Sequence, residues 1–302
     1  MSPSPIDKAL NTEIFLGHEC VPLENGIIKL FVTKSIGPRV LGFGFSDSEN
    51  IFAELPDFAT SLPNGGLFHF YGGHRLWVAP EDIHITYIPD DEPVDISPLD
   101  NGLRIRQPIQ TQIGLEKSLD ILLTGETQVV ITHKITNHGR EHVTCAPWAI
   151  TQLKTGGMAI LPQAQYDAGV LPNRSLALWS YTNMATPNVS WGRNYILVEA
   201  NMQSPFKVGF PNPRGWLAYW LNGTLFVKQA SHDAEAQYYD FNSSSECYCN
   251  DKFLELETLA PISSIAPDET ITHVETWNLY KDIECPKNES DVQSLIDKLG
   301  LE

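Results

Sequence analysis

The chain has 302 residues and a formal net charge of -17, with 20 Lys and Arg residues against 37 Asp and Glu residues. This acidic balance argues against nucleic acid and anionic membrane surfaces as partners, because both bind basic protein surfaces. The length is sufficient for one large β domain with a sizeable core.

The cysteines indicate a reducing compartment. They are scattered, and no second pair accompanies Cys247-x-Cys249 to complete a zinc site. We interpret all five as free thiols, which predicts a cytoplasmic protein. The first residues lack the basic and apolar regions of a signal peptide, and no apolar run approaches the ~20 residues that span a bilayer. No metal or other cofactor is expected. The five are Cys20, Cys145, Cys247, Cys249 and Cys285.

Period-2 alternation of apolar residues, which is typical of β strands, dominates the chain. It first predicts two strands over residues 23–45, with a turn at Gly37-Pro38 between them. Further strands are predicted from 101 to 161 and from 195 to 279. Residues 163–193 are rich in Asn, Pro and Trp and predict a long irregular excursion.

One helix is predicted, at the C-terminal end. Ser290 to Gln293 form a capping box, and apolar residues follow at helical spacing as far as Leu299. Gly300 suits the C-cap. The fold class is therefore all-β, with a short helix over 290–300.

The segment Gly72–Glu81 concentrates residues that carry chemistry. Its two glycines permit a positive φ or a close backbone approach. In a strand, His74 and Leu76 point to one face, and Arg75 and Trp77 to the other. The guanidinium of Arg75 donates to hydroxyls or carboxylates, while the indole of Trp77 packs on the apolar face of a pyranose. The alternative is a strand with an internal Arg–Glu pair and a buried Trp.

A second informative window is Glu255-Leu-Glu257. Both carboxylates lie on one side of a strand, about 7 Å apart, and repel each other unless cations or hydroxyls lie between them. A solvent-facing strand with ordinary acids is the alternative. Phe253 and Leu259 share the face of the two acids, which favours a site over open solvent.

Four cations lie inside or beside apolar strand sequence and are the expected partners of these acids. They are Arg39, Arg75, Lys207 and Lys228. A buried cation requires a paired anion or hydrogen-bond acceptors. Either lysine can instead extend its ammonium group to the surface from a strand end. His74 is a candidate to line the same site or a structural histidine of the strand.

Taken in order, these segments resemble a bacterial family that is similar to the galactose mutarotase (aldose 1-epimerase) superfamily. The resemblance covers roughly residues 20–280, and its specific parts are the sequences GGHRLWVAPE and ELETLAP. The segments that carry it include Gly72–Glu81, Ala146–Thr151, Gly156–Pro162, Glu255–Pro261 and His273–Trp277.

The resemblance implies a β-supersandwich of two large antiparallel sheets with a sugar site on the concave face. In mutarotases a glutamate in a Leu-Glu-Thr context is the general base on the anomeric hydroxyl. Leu256-Glu257-Thr258 matches that motif, so the resemblance assigns this role to Glu257. A mid-chain histidine acts as the acid on the ring oxygen, but this chain has Ala146–Thr151 there. His74 or Arg75 is therefore expected to replace it.

These observations predict one domain over residues 1–302, with its core in 20–280. The expected function is an aldose 1-epimerase-like isomerase acting on a small or oligomeric carbohydrate. A non-catalytic carbohydrate-binding protein, or a hydrolase or lyase on an acidic sugar, remains open. The glycine-rich segment and the late Glu-x-Glu strand are expected to face each other across one open hollow. The residues expected to bind the sugar are Arg39, Trp77, Glu81, Trp148, Lys207, Lys228 and Glu255.

Overall fold

The computed structural model describes residues 10–301, and its regular secondary structure is almost entirely β strand. No helix among the described residues is long and apolar enough to cross a membrane. In chain order the elements are β1 (Glu13–Phe15), β2 (His18–Glu24), β3 (Ile28–Thr33), β4 (Arg39–Phe45), β5 (Glu54–Ser61), β6 (Leu67–Ala79), β7 (Asp95–Leu99), β8 (Gly102–Arg106), β9 (Leu115–Leu123), β10 (Gln128–Asn137), β11 (Val143–Lys154), β12 (Met158–Pro162), β13 (Ala177–Leu178), β14 (Val189–Trp191), β15 (Tyr195–Glu199), β16 (Phe206–Phe210), β17 (Trp216–Leu221), β18 (Thr224–Ala230), α1 (Tyr239–Asn242), β19 (Ser245–Cys249), β20 (Phe253–Leu259), β21 (Ser263–Ile265), β22 (Thr270–Tyr280) and α2 (Glu289–Leu299).

The strands form two large sheets in which neighbouring strands pair antiparallel. The first sheet has the order β1-β2-β3-β4-β6-β11-β20-β19-β16-β13, with β5 paired to β6 and β21 paired to β11. The second has the order β14-β15-β12-β17-β18-β22-β10-β9-β8-β7. This arrangement is the predicted all-β sandwich of two antiparallel sheets. The irregular excursion predicted over 163–193 contains only the short strands β13 and β14.

The largest apolar cluster lies between the sheets. Trp277 of β22 contacts Phe43 of β4 and Phe52 just before β5, with ring centroids 5.6 Å apart in each pair. Phe226 of β18 completes this aromatic group at 5.6 Å from Trp277. Because side chains alternate along a strand, each inward residue of the first sheet is followed by one that faces away from the second sheet.

Two glycines in β6, Gly72 and Gly73, let its backbone come close to neighbouring chain segments. Both glycines have a positive φ, and a Cβ at either position would lie within 2.2 Å of a backbone carbonyl oxygen, from Ala53 or Val40. No other residue type fits such close approach, as the sequence predicts for this pair. The carbonyl oxygen of Gly72 also accepts a hydrogen bond from the guanidinium of Arg39.

The C-terminal helix forms where the sequence predicts it, with one correction at its start. The N-cap is Asn288, whose side chain accepts a hydrogen bond from the backbone N–H of Asp291. Ser290 is inside the first turn instead of capping it. Gly300 adopts the left-handed conformation of a C-cap, with φ of 66°. Val292 and Ile296 bury the apolar face of the helix against the second sheet.

Candidate functional site

Three adjacent strands, β6, β11 and β20, bring the predicted site residues onto one face of the first sheet. Arg75 lies opposite Ile150, and Ile150 lies opposite Glu257. Trp77 lies opposite Trp148. Residues directly opposite each other share a face, so all five side chains are on the side away from the second sheet. The two predicted segments therefore lie side by side with β11 between them. Both segments contribute to one cavity, but from neighbouring positions on the same sheet, whereas the sequence analysis expects them to face each other.

A cavity of about 420 Å³ opens on this face. The hairpin of β5 and β6 contributes several residues to the lining, and the segment before β14 contributes Tyr181. Half of the lining residues are aromatic, and such rings offer flat apolar surfaces to the C–H face of a sugar. The main aromatic residues of the lining are Phe58, Phe70, Trp77, Trp148, Tyr181 and Tyr248.

Glu257 is held by two donors below the cavity floor. Its Oε2 accepts hydrogen bonds from Trp148 Nε1 at 2.8 Å and from Lys207 Nζ at 3.0 Å. Both donors line the cavity, whereas the Glu257 side chain is 0% exposed. Its other oxygen, Oε1, has no hydrogen-bond partner within residues 10–301. One acceptor position of the carboxylate is therefore open.

Glu246 is a third carboxyl group of this site, and the sequence analysis did not identify it. It lies directly opposite Glu257 across β19 and β20, and its Oε2 is 2.7 Å from Lys207 Nζ. Burial raises the pKa of Glu246 well above its ordinary value, and the neighbouring carboxylate adds to this shift. Burial disfavours the charge on Lys207, but Glu246 and Glu257 together raise its pKa well above the usual range. Lys207 therefore remains an ammonium ion.

Glu255 is the carboxyl group that borders the cavity itself. Its Oε1 accepts a hydrogen bond from Gln152 Nε2 at 2.9 Å and lies 4.0 Å from a terminal nitrogen of Arg75. Burial raises the pKa of Glu255 to about 7, and repulsion from Glu257 contributes to the increase. A carboxyl group with this pKa can give up or accept a proton near neutral pH.

Arg75 lies behind the cavity wall with its donors unused. Its side chain is 0% exposed, and its guanidinium carbon is 4.1 Å from the ring centre of Trp77 and 5.0 Å from that of Phe70. None of its three nitrogens has a hydrogen-bond partner among the described residues. Burial lowers the pKa of Arg75 to about 10, and repulsion from Arg39 adds to this, so the group stays charged at neutral pH.

Arg39, which was predicted to bind the sugar, is used inside the protein. One of its terminal nitrogens donates to the carbonyl oxygens of Phe70 and Gly72, and the other pairs with Asp90 at 2.8 Å. These contacts connect β6 to the loop that follows it, and neither Arg39 nor Asp90 lines the cavity. Glu81 does line the cavity, and its Oε1 accepts a hydrogen bond from the hydroxyl of Tyr87.

His74 and Lys228 lie on the opposite side of the first sheet from Glu257, between the two sheets, so the structure corrects their predicted places in the sugar site. His74 Nδ1 lies 2.9 Å from Thr151 Oγ1, and Lys228 Nζ lies 2.8 Å from a carboxylate oxygen of Glu275. The side chains of both residues are 0% exposed. The first sheet lies between them and the cavity, because adjacent residues of β6 point to opposite faces and His74 points away from the cavity.

Three of the interlayer residues have the composition of a metal site. Ligand atoms of His74, His133 and Glu275 lie within 4.8 Å of one another. The two Nε2 atoms are only 2.7 Å apart, a hydrogen-bond distance, and ligands of a tetrahedral ion would be farther apart. Lys228 already neutralises Glu275, and Trp277 Nε1 donates to its second oxygen at 2.8 Å. The geometry is that of a satisfied hydrogen-bond network.

Residues from the excursion before β14 pack around Lys207, and the sequence analysis did not identify them. The ammonium of Lys207 lies 4.6 Å from the ring centre of Trp179 and 4.7 Å from that of Trp148. The hydroxyl of Thr182 accepts a hydrogen bond from the backbone N–H of Lys207, and Tyr181 lines the cavity. The Trp and Tyr content of this segment could have indicated a binding role. The sequence does not show where the segment packs, because the residues it contacts are distant along the chain.

No model of a known protein family matches the chain, and no curated protein matches its sequence. Solved structures do match. A protein from Klebsiella pneumoniae, provisionally assigned as an aldose 1-epimerase, has a TM-score of 0.59 and 9% identity, with 94% of this chain and 83% of that one covered. A galactose mutarotase-like protein from Lactobacillus casei has a TM-score of 0.57 and 9% identity, with 86% and 100% covered.

A third structure, from Escherichia coli K12 and also provisionally assigned as an aldose 1-epimerase, has a TM-score of 0.53 and 13% identity, with 86% and 98% covered. Identities this low show the fold alone. The chain therefore has the galactose mutarotase-like fold that the sequence resemblance predicts.

Proposed function

We propose that the protein is a carbohydrate-active isomerase of the aldose 1-epimerase type, with Glu255 and Glu257 as its acid–base pair. The observation that carries this proposal is the difference between the surroundings of the two carboxyl groups. Glu257 accepts hydrogen bonds from an ammonium and an indole N–H at one oxygen, and its other oxygen has no partner within residues 10–301. Glu255 borders the cavity and has a pKa of about 7. Two neighbouring carboxyl groups whose surroundings differ in this way can serve as the base and the acid of one site.

In the proposed reaction Glu257 accepts the proton of the anomeric hydroxyl at Oε1, the oxygen without a partner within the described chain. This hydroxyl enters between Trp148 and Lys207, which cover Glu257. Glu255 donates its proton to the ring oxygen as the bond between that oxygen and the anomeric carbon breaks. Rotation of the open-chain aldehyde and closure on its other face return both protons. Glu255 thus takes the place of the acid that the resemblance leads one to expect at a mid-chain histidine.

The test is polarimetry on freshly dissolved α-glucose and α-galactose. Glu257→Gln and Glu255→Gln keep the size of each side chain but remove its proton-transfer function. Each is expected to lower the catalysed rate by about 10²- to 10⁴-fold. Glu126→Gln, in the exposed turn between β9 and β10, is the matched control and is expected to keep the wild-type rate. An unchanged rate in either site variant removes that residue from the mechanism.

The second candidate is a carbohydrate-binding protein without catalysis. It is favoured by the absence of histidine from the cavity lining within residues 10–301. Calorimetry together with polarimetry distinguishes the two functions. Sugar binding without any acceleration of anomerisation selects the binding protein.

A cytoplasmic location is part of the proposal. Its support is that all five cysteines are free thiols in the described part of the chain and that four of them are buried. Thiols that stay unpaired are typical of a reducing compartment. Labelling of the thiols in intact and in permeabilised cells would test this location.

A further inference from the structure

Two arginines of the first sheet are equally buried but differ in their partners. Arg39 and Arg75 lie opposite each other in β4 and β6, and both are 0% exposed. Arg39 makes three hydrogen bonds, one of them to the carboxylate of Asp90. Arg75 makes none to the described residues. A guanidinium group enclosed without acceptors is unfavourable unless something outside the chain supplies them.

The position of Arg75 indicates where those acceptors would come from. Its guanidinium is covered by the rings of Trp77 and Phe70, and both of these residues also line the cavity. The nearest carboxylate oxygen is Glu255 Oε1 at 4.0 Å, which is beyond hydrogen-bond distance and already accepts from Gln152. At this part of the wall a buried cationic donor and a cavity-lining carboxyl group therefore lie within 4.0 Å of each other.

We infer that the ligand of this cavity is an acidic sugar, whose carboxylate pairs with Arg75. The inference rests on the proposed function for the site and the sugar class, and adds the charge of the substrate. Arg is the side chain best suited to bind a carboxylate, since its planar fork donates two parallel hydrogen bonds.

A hexuronic acid fits the arrangement of the two groups. Its carboxylate is attached to the carbon that also bears the ring oxygen, so the two are close neighbours in the molecule. Arg75 and Glu255 are close neighbours in the wall. A carboxylate on Arg75 therefore places the ring oxygen near Glu255, the proposed acid.

The same arrangement links binding to a proton. In the free protein the charge of Arg75 partly counteracts the rise in the pKa of Glu255. A ligand carboxylate neutralises Arg75 and adds a negative charge beside Glu255, which raises that pKa further. Glu255 then takes up a proton from solvent as the ligand binds, and it is ready to donate that proton to the ring oxygen.

The test is calorimetric binding of galacturonate and glucuronate, compared with galactose, glucose and glucose 6-phosphate. The wild-type protein is expected to bind each uronate at least about 10-fold more tightly than the matching neutral sugar. In Arg75→Met this selectivity ratio is expected to fall by about 10- to 100-fold. Arg104→Met is the matched control, because Arg104 is exposed and pairs with Asp120 in the other sheet. It is expected to keep the ratio.

Calorimetric titrations at pH 7.5 in two buffers of different ionisation enthalpy measure how many protons the protein takes up when the ligand binds. Uronate binding is expected to take up a proton in the wild type but not in Glu255→Gln, and galactose binding is expected to take up none. Equal affinity for neutral and acidic sugars, or a ratio unchanged in Arg75→Met, overturns the inference. Tighter binding of glucose 6-phosphate than of either uronate would show that the site selects an anionic sugar. It would overturn the inference that the anionic group is a carboxylate.

These readouts do not depend on turnover. If the protein prefers uronates but accelerates the anomerisation of no sugar, the isomerase proposal fails and the inference stands. If it accelerates anomerisation of neutral sugars without preferring uronates, the proposal stands and the inference fails.

Discussion

The two faces of strand β6 show two uses of buried polar side chains. His74 points between the sheets, and both of its ring nitrogens have partners, in Thr151 and His133. Arg75, the next residue, points to the cavity side and has no hydrogen-bond partner in residues 10–301. Both side chains are 0% exposed. Burial therefore does not distinguish the two faces, and the difference lies in whether the polar atoms are satisfied.

The same contrast extends to the neighbouring strands. Between the sheets, Lys228 contacts Glu275, Thr151 and the backbone carbonyls of Ala149 and Leu256. On the cavity side Glu257 keeps one unmatched oxygen. Buried polar groups of a folded protein are nearly always paired, so a cluster of unpaired ones on one face marks that face as the one that meets a ligand.

The largest expected effect concerns acid stability. His273 of β22 belongs to the network between the sheets, since its Nε2 lies 2.7 Å from Thr258 Oγ1 and 3.9 Å from Glu275 Oε1. Burial lowers the pKa of His273 from 6.5 to about 3. Between these values the unfolded chain binds a proton that the folded chain does not, so stability falls as the pH falls, by about 1.4 kcal/mol for each pH unit. Urea unfolding of His273→Gln between pH 7 and pH 4 is expected to show a slope reduced by that amount. A slope equal to that of the wild type would mean that the interlayer network is hydrated.

Lys228→Met is expected to have the next largest effect. It leaves the Glu275 carboxylate enclosed between the sheets without its cation, which costs about 3–5 kcal/mol. Urea unfolding at pH 7 measures the loss. The double variant Lys228→Met with Glu275→Gln removes both charges and is expected to recover part of it. If Lys228→Met is as stable as the wild type, the charge between the sheets does not depend on pairing, and the contrast with the cavity face of the first sheet fails.

On the cavity face the pH dependence has the opposite sign. The pKa of Glu255 is raised from 4.5 to about 7, so the folded chain holds a proton that the unfolded chain releases. This group lowers stability as the pH rises from 4.5 to 7, by up to about 3 kcal/mol. Glu255→Gln is therefore expected to be more stable than the wild type at pH 8 but not at pH 4.5. Equal differences at the two pH values would contradict the raised pKa.

The sequence allowed the all-β class, the faces of β6 and the Glu255–Glu257 pair to be predicted because each depends on alternation along strands, and the two-sheet fold followed from the family resemblance. It did not reveal Glu246, which depends on strand pairing. Asn250 could have indicated a turn between these strands, because its side chain accepts hydrogen bonds from the backbone N–H groups of Lys252 and Phe253. A hairpin folded at that turn sets Glu246 against Glu257, the pairing that the structure shows.

The errors at Arg39 and Lys228 have another cause. A buried cation in a strand requires an anion, but the sequence does not say which one. Asp90 is 51 residues from Arg39, and Glu275 is 47 residues from Lys228 and in the neighbouring strand of the second sheet. Which cations stay unpaired depends on these long-range contacts, so the residue that faces a ligand emerges only from the folded chain.

The smallest expected effect is the most direct test of the contrast between satisfied and unsatisfied charge. Arg75→Met removes a buried charge that has no hydrogen bonds to lose, so the unfolding free energy is expected to change by less than about 1 kcal/mol. Arg39→Met is the matched comparison, because it leaves Asp90 and two carbonyl oxygens without their hydrogen-bond donor. This substitution is expected to lower the unfolding free energy by about 3–5 kcal/mol. Urea unfolding of both at pH 7 gives the difference. Equal losses would mean that Arg75 is a structural residue like Arg39, held by its 4.0 Å approach to Glu255, and that its donors are not kept for a ligand.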